Sequence, residues 1–181
     1  MTRSALFVSL LAAAIVAAAT SWPLVQPAHA GPPAPPVPGD IQVPDGNKVF
    51  LVGHAVGVQI YSCNGSTWSL VAPRADLYGD NGKLLATHFA GPTWQAKDGS
   101  YVVGKREAGV TVDATAIPWL RLAATTTGIG PGGDRLVDTT YIQRIATIGG
   151  LPPSGCTAST AGTTAEVPYT ADYVFWKATG P

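Results

Sequence analysis

Three dipeptides, Asn64-Gly65, Asn81-Gly82 and Asp98-Gly99, punctuate the chain between residues 64 and 99. Asn, Asp and Gly accept the positive backbone φ that tight hairpin turns demand. Runs rich in β-branched and aromatic residues flank them: "KVFLVG" and "VGVQIYSC" before the first, "WSLVAP" after it, "KLLATHF" after the second and "SYVVGK" after the third. Further strands are predicted at "WLRLAATT", "LVDTTYIQRIAT" and "VPYTADYVFWKA". No stretch carries an apolar stripe at helical spacing. "AGVTVDATAIPWL" has room for one helical turn before Pro118 interrupts it. Such punctuation predicts an all-β, single-domain antiparallel β-sandwich or β-barrel with short hairpins and little helix.

Alternation along the later strands says which faces are buried. In "TADYVFWKA", Ala171, Tyr173, Phe175 and Lys177 face one way, and Asp172, Val174 and Trp176 the other. Neither set is polar, so this strand is expected to be buried on both sides. In "TYIQRIAT", Tyr141, Gln143 and Ile145 oppose Ile142, Arg144 and Ala146. An Arg among apolar strand residues either snorkels to the edge or pairs with a carboxylate.

Residues 1–30 read as a signal peptide. Arg3 supplies the positive start, Leu6 to Ala19 an apolar run, and Ala28-His29-Ala30 the cleavage site. The run is too short for a comfortable membrane span. The expected organisation is a signal peptide at 1–30, a Pro-rich linker at 31–40 adding nothing to the core, a β domain at 41–178 and a C-terminal tail at 179–181. The expected location is secreted, outside the cell. Cleavage removes Arg3 and leaves a side-chain charge of −1 from the 11 basic and 11 acidic residues of the whole chain. A near-neutral domain has no electrostatic basis for holding nucleic acid or anionic lipid. Outside the cytoplasm, the isolated pair Cys63 and Cys156 is expected to form one disulfide. A metal site wants more ligands than two thiols, and a lone catalytic thiol leaves the second Cys without a role.

The glycines of "GIGPGG" match the spacing of a dinucleotide fingerprint at Gly128, Gly130 and Gly133. That fingerprint works only where a strand enters and a helix leaves. Here a strand pattern follows, so a flexible loop is expected and no cofactor. Ser100 with His88 as base is a conceivable acyl-transfer pair, yet Ser also suits the end of an Asp-Gly turn. His54 and His88, with Asp76 or Asp98, offer an acid–base or metal pair only if they converge. Asn64-Gly65-Ser66 fits a glycosylation acceptor, but the hairpin signal accounts for it. Trp119 and Trp176 sit in apolar runs and are expected in the core, each indole N–H on a backbone carbonyl. Trp94 follows Gly91-Pro92 in a predicted connection near His88, Gln95 and Asp98. It reads either as an exposed platform for a sugar or aromatic ring, or as a lid folded over a barrel end.

The blocks "GVQIYSC", "HFAGPTWQAKDGSYVVG", "AIPWLRL", "YIQRIATIGGLPPSGC" and "VPYTADYVFWKA" occur in that order. Through them the chain, over roughly residues 41 to 178, resembles the secreted bacterial and fungal family catalogued as domain of unknown function 3455. The resemblance implies an exported protein without an agreed set of catalytic residues. Some fungal relatives carry a malate dehydrogenase label, which the missing coenzyme pattern argues against here. Both Cys lie in recurring blocks, which adds weight to the bridge. The expected function is a non-catalytic extracellular binding or surface-associated domain. Its candidate ligand-binding residues are His88, Trp94, Gln95 and Asp98, and its partner is a cell-wall glycan or small ligand. The alternatives are a hydrolase or metal-assisted enzyme using His88 and Asp98, and a purely structural exported protein.

Overall fold

A computed structural model describes residues 31–180; the signal-peptide reading of 1–30 lies outside them. Eight strands follow in order: β1 (Asn47–Cys63), β2 (Trp68–Tyr78), β3 (Leu84–Phe89), β4 (Thr93–Ala96), β5 (Tyr101–Val110), β6 (Trp119–Gly128), β7 (Thr139–Gly149) and β8 (Thr164–Ala178). Each pairs antiparallel with the next, and β8 returns to β1 to close a barrel. Of the two architectures left open by the sequence, the barrel is the one formed. Helical structure among the described residues is confined to two 3-10 turns, Gly39–Ile41 and Ala158–Thr160.

The hairpin signals fall where strands reverse. Gly65, Gly82 and Gly99 hold φ of +98°, +70° and +85° in the connections 64–67, 79–83 and 97–100. These connections are longer than the two-residue turns the dipeptides suggest. Asn64 Oδ1 accepts the backbone N–H groups of Ser66 and Thr67 at 3.0 and 2.9 Å, so its side chain braces the turn. The "GIGPGG" segment leads into turns and then β7, with no helix. A Cβ on Gly130 would strike the Gly99–Ser100 backbone, so this glycine permits two connections to touch.

"KVFLVG" and "VGVQIYSC", read separately from the sequence, are one continuous strand. β1 uses one edge for β2 and the other for β8. Its interior glycine is a packing device, because a Cβ on Gly57 would collide with the Arg74 carbonyl and with Ala75 on β2. Small inward residues recur nearby at Ala55, Ala75, Ala86, Ala96 and Ala171. They leave the lumen to Trp94, Tyr173 and Phe175. One end of this barrel, bearing the connections 79–83, 97–100 and 129–138, is plugged by fully buried Leu136. The Leu136 N–H donates to Ser100 Oγ at 3.2 Å.

A second apolar cluster lies outside the barrel wall. Ile41 is fully buried there with Val49, Ile145, Val174 and Trp176, and Val37 and Val43 pack against it. β8 is therefore buried on both faces along Tyr173–Trp176, as its alternation predicts. The Pro-rich segment is not the inert linker expected, since Val37 lies within 31–40 and contributes to this packing. Buried Gln143 joins the layers. Its amide donates to the Ile41 carbonyl at 2.8 Å and its carbonyl accepts from Trp176 Nε1 at 2.9 Å. The Trp176 indole thus finds a side-chain carbonyl rather than the backbone one expected, and Trp119 is only partly buried.

Cys63 and Cys156 form the disulfide, with a Cα–Cα distance of 5.5 Å across a sequence separation of 93. It ties the long β7–β8 connection to the end of β1, at the barrel end opposite Leu136.

Candidate functional site

His88 and Trp94 are cross-strand partners on β3 and β4, joined by the Gly91-Pro92 turn. Both face the lumen. Their rings stack with centroids 4.3 Å apart at 7°. Tyr173 of β8 lies 5.0 Å from His88 and 5.3 Å from Trp94, and Phe175 closes edge-on against Trp94 at 6.1 Å. Trp94 is only 1% exposed. It is neither a loop residue nor an exposed platform, because a four-residue strand stands where the sequence suggests a connection.

The rings of His88, Trp94 and Tyr173 floor a cavity of about 220 Å³ at the end of the barrel carrying the disulfide. Its walls come from β1, β2, β5, β6 and β7, and its rim includes Leu70 and Val71 of β2 and Arg106 of β5. Two lining side chains carry buried N–H groups with no protein partner, Gln59 Nε2 and Trp94 Nε1. A buried donor without a partner costs roughly 1–3 kcal/mol, so it is uncommon except at a site that something else completes.

Arg144 enters the same cavity from β7. It neither snorkels outward nor meets a carboxylate, the two outcomes expected of it. Among the described residues its ion-pair distances include no Asp or Glu. Its Nε and Nη2 donate instead to the Pro118 carbonyl, at 3.2 and 2.8 Å. That connection is itself pinned to β7, where Thr147 Oγ1 donates to Ile117 O at 2.6 Å. The guanidinium charge is felt across the lumen, by His88, Tyr61, Tyr169 and Tyr173. Burial pushes all three phenols above their ordinary range, so each stays a neutral hydroxyl.

His88 is held neutral. Burial lowers its pKa to about 3, the Thr93 carbonyl opposes this, and Arg144 adds to the depression. Nδ1 lies 2.9 Å from Thr93 O. A carbonyl only accepts, so Nδ1 carries the proton and Nε2 is bare. The linkage follows. An unfolded chain protonates His88 below about pH 6.5 while the folded chain refuses the proton until about pH 3. The stability is full above pH 6.5 and is lost as pH falls toward 3. Between pH 6.5 and 4 the loss should reach about 3 kcal/mol, on 1.36 kcal/mol per pH unit. Thermal unfolding of the wild type and His88→Phe across that range tests it. The variant should lose less stability on acidification, and parallel curves would exclude His88 as the source.

The other predicted site residues are not gathered here. Gln95 adjoins Trp94 on β4 but faces outward and is exposed, its amide donating to Gly99 O at 3.4 Å. Asp98 sits at the plugged end. Its Oδ1 accepts from Ser100 Oγ at 2.6 Å and its Oδ2 from the Arg135 backbone N–H at 3.0 Å. Ser100 is buried in that turn and is not a nucleophile for His88, which lies toward the other end of β3. His54 projects from the outer face of β1. Its Nδ1 lies 2.7 Å from Asp172 and its Nε2 2.9 Å from Asp80, and hydrogen bonds first to Asp80 and then to Asp172 raise its pKa. His54 and His88 are therefore on opposite sides of the wall. Asp76 is exposed on β2.

Two of the polar residues that line the cavity, Gln59 and Arg144, were missed as site residues by sequence reasoning. The signal was present: each is a polar residue at an inward position of an alternating strand.

No curated protein and no solved structure matches the chain. The model of the family described as protein of unknown function (DUF3455) matches residues 44–177, and with most of the barrel covered by that match the chain belongs to this family.

Proposed function

We propose that the protein is a non-catalytic, exported binding barrel that takes a small, largely apolar ligand into its open end. The observation that carries this reading is the pair of buried, unpartnered donors, Gln59 Nε2 and Trp94 Nε1, on an otherwise mostly apolar cavity. Concave apolar sites with a few oriented polar groups are the usual form of small-molecule sites. At about 220 Å³ the cavity is below the ~300–1,000 Å³ range of sites that enclose drug-sized ligands. A small ligand, or one only partly enclosed, fits it. A wall glycan fits less well, because Trp94 is buried with His88 stacked on it and offers no open ring face to a sugar. The described lining holds no Ser, Thr, Cys, Asp or Glu, so neither a hydroxyl or thiol nucleophile of those types nor a carboxylate faces the cavity. Export is supported by the apolar leader with its Ala-His-Ala site and by the disulfide.

The neutral fluorophore N-phenyl-1-naphthylamine tests the reading. Its emission should rise on binding the wild type and stay low with Leu120→Trp, which fills the cavity from β6. Equal emission with both proteins, or none with the wild type, would overturn it.

A further inference from the structure

From the charges in the open end of the barrel, we propose that the ligand is an amphiphilic monocarboxylate, seated with its carboxylate inward on Arg144 and its apolar chain leaving over Leu70 and Val71. This rests on the binding reading above and adds the chemistry of the ligand. Arg144 and Arg106 line the cavity, its described lining holds no acidic residue, and His88 is uncharged. A cation within a barrel lumen normally meets a carboxylate, because leaving water is costly for an unpaired charge. Here the chain supplies none, and the partners of Arg144 are neutral, the Pro118 carbonyl and the Tyr173 hydroxyl. The Pro118 contact uses Nε and Nη2, so Nη1 is not tied to that carbonyl.

The orphan donors belong to the same arrangement. The amide of Gln59 and the indole of Trp94 are each 1% exposed. Both residues line the cavity with Arg144, so a small turn of either side chain would add its N–H to those of the guanidinium, and a carboxylate accepts from several donors at once. A single negative charge suits the inner part of the site, where Arg144 is the cation, because Arg106 stands exposed at the rim. A phosphate dianion would carry excess charge into a lumen whose walls are mostly apolar. The tail is placed by the rim. Leu70 and Val71 are 54% and 60% exposed at the cavity mouth, where an alkyl chain or ring too long for the cavity can cover them.

Octanoate, octan-1-ol and octanamide, titrated by calorimetry into the mature, disulfide-bonded protein, test the assignment. Octanoate should bind at least tenfold tighter than the alcohol or amide, and should shift the Trp94 Nε1–H resonance. Arg144→Gln should weaken octanoate tenfold or more and leave octan-1-ol within twofold. Because Arg144 also holds the Pro118 connection, Gln59→Leu serves as a second variant that keeps the charge. It should weaken octanoate about fivefold without weakening octan-1-ol. Equal affinity for octanoate and octan-1-ol, both abolished by Leu120→Trp, would overturn the carboxylate assignment and leave the binding reading standing. Binding of none of the three, with no response to the neutral fluorophore, would remove both.

Discussion

Replacing Cys63 and Cys156 together by Ala should lower the unfolding free energy by roughly 4–5 kcal/mol, the loop-closure entropy for a link of this length. The bridge spans a separation of 93 residues, so it restricts the unfolded chain severely. It also has local neighbours. The Cys63 N–H donates to Thr163 O at 3.0 Å, and Cys63 O accepts from the Gly162 N–H at 2.9 Å. Trp68 Nε1 donates to Ser154 O at 3.4 Å. Those contacts hold the β7–β8 connection against the β1–β2 end in the folded state. The loss should therefore appear mainly as a gain in unfolded-state freedom. Urea unfolding of the double variant measures it. A loss below about 1 kcal/mol would mean that the unfolded chain is compact enough to make the covalent link redundant. Thiol titration of the denatured, unreduced wild type should find no reactive thiol.

Much of the fold was legible because its signals are local. Asn64-Gly65, Asn81-Gly82 and Asp98-Gly99 mark three reversals, and the two-faced burial of β8 follows from its alternation. Barrel closure was not legible. It depends on β1 meeting β8, a pairing such as Ala55 with Ala171 whose partners lie far apart in sequence. A sandwich uses the same strands and turns, and only the long-range registers separate the two. The Pro-rich segment was misread for a related reason. Composition marks it as extended, and nothing in it shows that Val37 and Ile41 meet an apolar stripe on the outside of β7 and β8. At the site, proximity in sequence misled. Asp98 lies close to Trp94 along the chain, but the short β4 carries the backbone to the plugged end of the barrel. Arg144 and Gln59, distant from Trp94 in sequence, share its cavity because their strands curve around one lumen.

Trp94→Ala should be the most damaging single substitution in the cavity, costing about 3–5 kcal/mol. The indole touches three aromatic rings, those of His88, Tyr173 and Phe175, so its removal opens a void in the middle of the lumen. Surrounding strands cannot collapse to fill it, since the barrel's hydrogen-bonded circumference fixes its radius. A second effect separates this from generic loss of packing. Without the indole, water reaches His88, and its pKa should rise from about 3 toward the ordinary value. The acid sensitivity attributed to His88 should shrink with it. Trp94→Phe keeps an aromatic ring against His88 and removes an N–H that has no protein partner. Its stability cost should be the smaller of the two, while its affinity for a carboxylate ligand falls. Urea unfolding at pH 7 and pH 4, with NMR titration of His88 in each protein, gives both quantities. If Trp94→Ala unfolds with the wild-type midpoint, the stacked pair is not what holds this end of the barrel. If the His88 pKa stays near 3 in that variant, burial by the indole is not what depresses it.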